Sequence, residues 1–144
     1  EQFNQCLDIE EAVFGKGSHR TATTCNHIGS VLVSKGDLDF ALVQFQQCLT
    51  MLESFPDHPE MGTIHNNMGI ALHSKGENDA ALEHFQKCLA IWEPVVGKEH
   101  PNIAGVYNSI GLTLKSKGDY HTSLESFKTS FSIQEAVERD NSST

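Results

Sequence analysis

The sequence predicts an all-α chain, an alpha-alpha superhelix in which antiparallel helix pairs stack into a solenoid. Three observations carry that expectation. Phenylalanines recur at Phe3, Phe45, Phe85 and Phe127, spaced 42, 40 and 42 residues apart. The tripeptide Ser-Lys-Gly stands at 34–36, 74–76 and 116–118. Each tripeptide follows a related block: Ile28-Gly29-Ser30-Val31-Leu32, Met68-Gly69-Ile70-Ala71-Leu72 and Ile110-Gly111-Leu112-Thr113-Leu114. Self-similarity at such a period marks a repeat architecture, in which each unit buries its apolar face only against its neighbours.

Taken in order, helices are expected near 2–14, 20–35, 38–54, 59–75, 78–94, 101–117 and 120–138. The first carries Phe3, Leu7, Ile9 and Val13 on one face and repeats the second-helix block as Phe3-Asn4-Gln5-Cys6-Leu7, with no first-helix block before it. It is therefore an orphan, and the expectation is either further repeats upstream or self-association through that end. The helices at 20–35, 59–75 and 101–117 close on Gly36, Gly76 and Gly118, since glycine takes the left-handed conformation that ends a helix. His58-Pro59 and His100-Pro101 put proline in a first turn, where its missing N–H costs nothing. The second helices show Ala41, Phe45, Cys48 and Leu52, matched by Ala81, Phe85, Cys88 and Trp92, at i, i+4, i+7 and i+11. That spacing is a single apolar stripe. In the last helix Thr129, Ser130, Ser132 and Gln134 make a more polar surface, and residues 139–144 read as a polar tail.

Composition limits the function classes. The 144 residues carry a formal charge of −9, are 38% hydrophobic and 20% charged. This is too apolar for a disordered tail, and its sign is wrong for general binding to nucleic acid. No apolar run approaches the roughly 18 to 20 residues of a membrane span, and Glu1-Gln2-Phe3-Asn4 lacks the basic and apolar regions of a signal peptide. A cytoplasmic chain with no membrane partner is expected, and a start other than Met suggests a piece of something longer.

The repeat resembles the tetratricopeptide repeat. Gly29, Gly69 and Gly111 match the family's small position in the first helix. Ala41 and Ala81 match its alanine, Phe45, Phe85 and Phe127 its aromatic, and Cys48 and Cys88 its second small site. The family's Trp position holds Cys25, His65 and Tyr107, its Tyr position holds Leu32, Leu72 and Leu114, and Ser123 and Ser130 occupy the two small sites of the last unit. Repeats of 40 to 42 residues with a His-Pro start and a Lys-Gly turn are similar to the kinesin light chain and nephrocystin-3 subclass. The resemblance divides the single array into a truncated repeat at 1–16 and repeats at 18–56, 57–97 and 98–138.

The same resemblance implies a concave groove lined by first helices. Its positions map onto Thr23, Asn26, His27, Ser30 and Val33, then Thr63, Asn66, Asn67, Ile70 and His73, then Asn108, Ser109, Leu112 and Lys115. Asn26, Asn66 and Asn108 recur at one position, and an amide supplies the donor and acceptor that an extended peptide backbone needs. In the family, asparagines here clamp ligand main chain; the alternative is an amide that bonds a neighbouring helix. None of these positions is acidic, so the expected groove is neutral to weakly basic. It would take an extended peptide, with acidic and aromatic residues as in kinesin light chain cargo.

Other chemistry finds little footing. Cys6, Cys48 and Cys88 share one helix position, and equivalent positions on helices ~8 to 10 Å apart exceed the reach of a disulfide, so buried reduced thiols are expected. The eight histidines show no ligand spacing, no cofactor motif or nucleophile elbow appears, and neither a metal site nor an enzyme is expected. The expected function is a protein-binding adaptor. A self-assembly scaffold and a regulatory sensor domain of a larger protein are the alternatives.

Overall fold

The computed structural model describes residues 19–56 and 58–143. The expected helix 2–14, and with it the N-terminal end considered for self-association, lies outside the described residues. Six helices follow: α1 (His19–Lys35), α2 (Leu38–Met51), α3 (Pro59–Lys75), α4 (Asn78–Val96), α5 (Pro101–Lys117) and α6 (Tyr120–Ser142), with no strand among the described residues. They form the pairs α1/α2, α3/α4 and α5/α6, and each second helix also packs on the first helix of the next pair.

Within each pair the chain reverses over two residues. Gly36, Gly76 and Gly118 hold φ of 88°, 86° and 89°, the left-handed region that costs any other residue a Cβ clash. The turns close with paired bonds, as from Gly76 N to His73 O at 3.0 Å and Glu77 N to Leu72 O at 2.9 Å. At the opposite ends, His58 and His100 cap α3 and α5. Their Nδ1 atoms accept from Glu60 N at 3.1 Å and Asn102 N at 3.0 Å, with Pro59 and Pro101 in the first turns.

Three ends differ from expectation. α2 stops at Met51 rather than 54, and the chain turns from Leu52 with tighter bonds from Glu53 N to Thr50 O and from Phe55 N to Leu52 O; Pro56 disfavours a return to helical backbone at Phe55. α4 runs through Pro94 to Val96; the carbonyl that Pro94 deprives of its donor belongs to exposed Ala90. α6 continues to Ser142, so most of the tail expected at 139–144 is helical. No glycine or proline stops it, although residues 138–143 are exposed as a polar tail would be.

The core is a chain of phenylalanine-on-glycine contacts. Phe45 and Phe85 are essentially inaccessible, and each ring lies against a first-helix glycine. A Cβ at Gly69 would stand 2.5 Å from the Phe85 ring, and one at Gly111 would stand 2.7 Å from that of Phe127. Gly29 serves Phe45 in the same way, and Gly62 admits the Trp92 indole, whose Nε1 donates to Pro59 O at 3.1 Å. One cluster joins α1 and α2 to Ile64, Met68 and Ala71 of α3, a second joins α4, α5 and α6, and Leu42 packs against both.

Between the helices of a pair, positions 19 apart meet. In the first pair Cys25 Sγ donates to Gln44 Oε1 at 3.6 Å; in the second, His65 Nδ1 and His84 Nδ1 are 3.0 Å apart. Burial and the neighbouring His84 lower His65 to about 4, and burial lowers His84 as well. Cys25 also hydrogen-bonds Cys48, and that contact, followed by burial, pushes the Cys48 thiol far up. Cys88 is pushed up to about 12 by burial alone. Among the described residues the two thiols that approach one another are thus Cys25 and Cys48, one from a first helix and one from the repeated second-helix position.

Candidate interaction groove

The first helices α1, α3 and α5 bring part of the expected groove set together. Ser30 and Val33 of α1 and Asn67 and Ile70 of α3 line a pocket of about 120 Å³ whose remaining wall is Phe45. The glycine at 29 explains why a second-helix ring closes this pocket from below: with no Cβ in the way, the buried Phe45 packs beneath α1. Phe45 is a lining residue that sequence reasoning assigned to the core alone, and the Gly29 register was the available signal.

Asn26 is placed differently from an open clamp. It is 2% exposed, its Nδ2 donates to Glu60 Oε1 at 2.9 Å, and its Oδ1 accepts from Asn67 Nδ2 at 3.0 Å. Asn67 Nδ2 also reaches Ser30 Oγ at 3.3 Å. Both ends of the Asn26 amide are therefore used in tying α1 to α3. Glu60 enters this network although no acid was expected at the groove, and it makes the α1/α3 end more negative than the mapped positions alone.

The next copy of the same position behaves otherwise. Asn66 is half-buried, and its Oδ1 is a buried acceptor with no donor among the described residues. The register accounts for this: the residue equivalent to Asn67 is Ser109, whose side chain is shorter by an amide, and the residue equivalent to Glu60 is Asn102. Asn108, the third copy, is exposed, as are His27 and Lys115; Leu112 is 43% exposed. Thr63, Ser109 and His73 are half-buried, and His73 Nδ1 lies 3.4 Å from Asn78 Oδ1, at the long limit of a hydrogen bond. The groove therefore changes character along its length. It is apolar and hydrogen-bonded at α1/α3, and open with a free-standing lysine side at α5.

No group of three or more His, Cys, Asp or Glu side chains suited to a metal occurs among the described residues. No helix among them is long and apolar enough to cross a membrane.

Stacked helix pairs with a glycine-seated aromatic in each unit define a helical-repeat solenoid. The chain belongs to the tetratricopeptide repeat family: one family model of that description matches residues 60–136 and a second matches residues 21–60. Repeats of this family are protein-interaction modules, which supports a protein-interaction scaffold in general terms. A search of curated proteins returns no match. Among solved structures, BtubC (BKLC) from P. vanneervenii superposes with a TM-score of 0.84 at 18% identity, over 94% of this chain and 55% of that one. A Podosopora anserina protein assigned to the kinesin light chains, with nearly identical TPR-like repeats, gives 0.76 at 15% identity, over 95% and 66%. MamA gives 0.68 at 20% identity, over 95% and 71%. These likenesses establish the fold, and this chain spans about half the length of the first.

Proposed function

We propose that this domain is a non-catalytic adaptor that holds an extended peptide along α1, α3 and α5. The observation that carries the reading is the 120 Å³ pocket between Ser30, Val33, Asn67 and Ile70, followed along the groove by the unpaired Asn66 Oδ1. A cavity of about 150 Å³ holds a benzene ring, so this one suits a single aliphatic side chain better than an indole. The Asn66 Oδ1, sealed from solvent in the structure, takes a ligand N–H once its side chain rotates toward the groove, which makes a bond otherwise left unmade at a buried polar atom. Exposed Asn108 offers both halves of an amide, and Lys115 attracts a carboxylate. The ligand runs with its aliphatic residue at α1/α3 and its acidic residue toward α5, away from Glu60. A cargo or adaptor role like that of kinesin light chain is consistent with this arrangement, and so is a cytoplasmic location, since buried thiols suit a reducing compartment.

The test is an unbiased peptide-display screen on the intact chain, followed by calorimetry on the selected peptides. Asn66→Ala and Asn108→Ala together should weaken binding about tenfold or more, and Ile70→Glu should abolish it. Unchanged affinity in the asparagine variant removes the clamp role. Concentration-dependent oligomers in a chain that selects no peptide would favour the self-assembly scaffold instead.

A further inference from the structure

The seam between the second and third pairs carries two adjoining cavities on a flank that shares no residue with the groove. Glu93, Lys98 and Tyr107 line the first, of about 340 Å³, and Lys128 and Ser132 line the second, of about 300 Å³. Glu99 and Ile133 belong to both. Each volume falls in the range of about 300–1,000 Å³ that small ligands occupy.

The third pair departs from the repeat at this point. Positions 19 apart bond within the first two pairs, Cys25 with Gln44 and His65 with His84, whereas their equivalents in the third are Tyr107 and the shorter Ser126. Tyr107 stands instead beside Glu93 of α4: burial first, then that carboxylate, pushes its phenol up. α4 runs on to Val96 and keeps Glu93 half-buried, while the equivalent Glu53 lies beyond the end of α2 and is exposed.

The charges around the two cavities are unmatched. Elsewhere lysines reach carboxylates across the seams, Lys75 to Asp39 at 2.6 Å and Lys117 to Asp79. Glu93, Lys98, Glu99 and Lys128 form no ion pair among the described residues. The first cavity sets two carboxylates against one ammonium. In the second, Lys128 and Ser132 lie one turn apart on α6. The lining thus grades from acidic at Glu93 to basic at Lys128, with Ile133 as the shared apolar wall.

We propose that this crevice binds a basic amino-acid carboxylate, a guanidinium or ammonium joined by an aliphatic stem to a carboxylate, as in free arginine or in the last residue of a polypeptide. The cation takes Glu93, Glu99 and the Tyr107 ring, the stem lies on Ile133, and the carboxylate takes Lys128 and the Ser132 hydroxyl. A simple cation leaves Lys128 uncompensated, and a simple anion meets Glu99; a molecule bearing both charges answers the whole lining. A following helix pair leaves such a flank open: Gln86, Lys87 and Ala90, the α4 equivalents of Lys128, Thr129 and Ser132, are exposed although α5 and α6 come after them. The site stands independently of the groove reading.

The probes are free L-arginine with agmatine as its carboxylate-free counterpart, and acetyl-Gly-Gly-Arg with its C-terminal amide, each titrated by calorimetry against the intact chain. Free arginine or the acid peptide should bind saturably, and its counterpart about two- to fivefold more weakly, the scale of one exposed ion pair. Whichever of the two binds more tightly names the source, a free amino acid or a chain end. Glu93→Gln and Lys128→Gln should each weaken binding by a similar factor, and Lys98→Gln should tighten it. Circular dichroism should show helix content intact in all three, since Lys98 and Lys128 are exposed and Glu93 is half-buried. No saturable binding of either probe, equal binding of the carboxylate-free counterparts, or an affinity untouched by both Glu93→Gln and Lys128→Gln overturns the proposal.

Discussion

His65 Nδ1 and His84 Nδ1 stand 3.0 Å apart while their ring centroids are 5.2 Å apart, so the rings meet corner to corner and not face to face. At that separation one ring must donate its Nδ1 proton and the other must accept, which fixes opposite tautomers on α3 and α4. A proton can be added at the donor's Nε2 without breaking the bond. A second leaves two N–H groups confronting each other inside the middle pair.

Acid should therefore loosen the domain at its centre. Burial holds His65 near 4 and lowers His84, so the folded state binds fewer protons than the unfolded state once the pH falls below the ordinary histidine value of about 6.5. Stability is full above that value and declines as pH drops toward 4, by on the order of 1 kcal/mol between pH 7 and 5 after solvent screening. Replacing the pair by the one found in the first repeat, His65→Cys with His84→Gln, should flatten the profile. Urea unfolding at several pH values, followed through Trp92 in the same pair, measures this; an equally steep decline in the double variant would show that other groups carry it.

Glycine at 69 is required by packing, not by backbone conformation, because it sits within α3. Gly69→Ala drives a Cβ into the Phe85 ring and should cost about 1–3 kcal/mol, the range for overpacking a tight core. Phe85→Leu alone leaves a void and also destabilises. The two together should cost less than the sum of the singles, since each relieves the other's defect. Additive losses in chemical denaturation would mean that the contact is not what selects glycine.

Such contacts explain what could be read from sequence. The glycine and phenylalanine of each unit are complementary shapes, so their joint recurrence exposed both the repeat and the pairing of its helices. His58 and His100 were legible as helix starts for the same reason, a local geometry with few residue solutions. Helix ends are less so: α6 outruns its expected end because the polarity of Arg139, Asp140 and Asn141 reads as a tail, although none of these residues stops a helix. The groove was legible as positions but not as roles. Asn26 and Asn66 occupy one sequence position, yet the first is saturated by Asn67 and Glu60 while the repeat after the second carries Ser109 and Asn102 at the corresponding positions, a difference that depends on the following repeat. The lysine ladder from Lys75 to Asp39 and Lys117 to Asp79 spans two repeats in the same way and is invisible within one.

The asparagines should consequently separate on substitution. Asn26→Ala removes the donor from buried-side Glu60 and the acceptor from Asn67, and should lower stability by about 1–3 kcal/mol whether or not ligand is present. Asn108→Ala alters an exposed side chain and should leave stability within about 0.5 kcal/mol. A stability loss in Asn108→Ala as large as that in Asn26→Ala would show that all three amides tie helices together.

The serines of α6 pose the reverse question, whether a departure from the repeat pattern is needed. Ser123 Oγ donates to Gly111 O at 2.7 Å and Ser130 Oγ donates to Ala104 O at 2.8 Å, both buried. Each of those carbonyls lies inside α5 and is also placed to accept from the helix amide four residues on, so removing the hydroxyl does not orphan it. Ser123→Ala with Ser130→Cys restores the residues found in the other two units, whose equivalents Ala81 and Cys88 are fully buried without such bonds to a first-helix carbonyl. Losing two modest hydrogen bonds and burying a methyl and a thiol nearly offset one another, so the double variant should stay within about 1 kcal/mol of the parent in urea unfolding. A loss above about 2 kcal/mol would show that α6 is held on α5 by these hydroxyls rather than by Ile133, Ala136 and the Phe127 contact with Gly111.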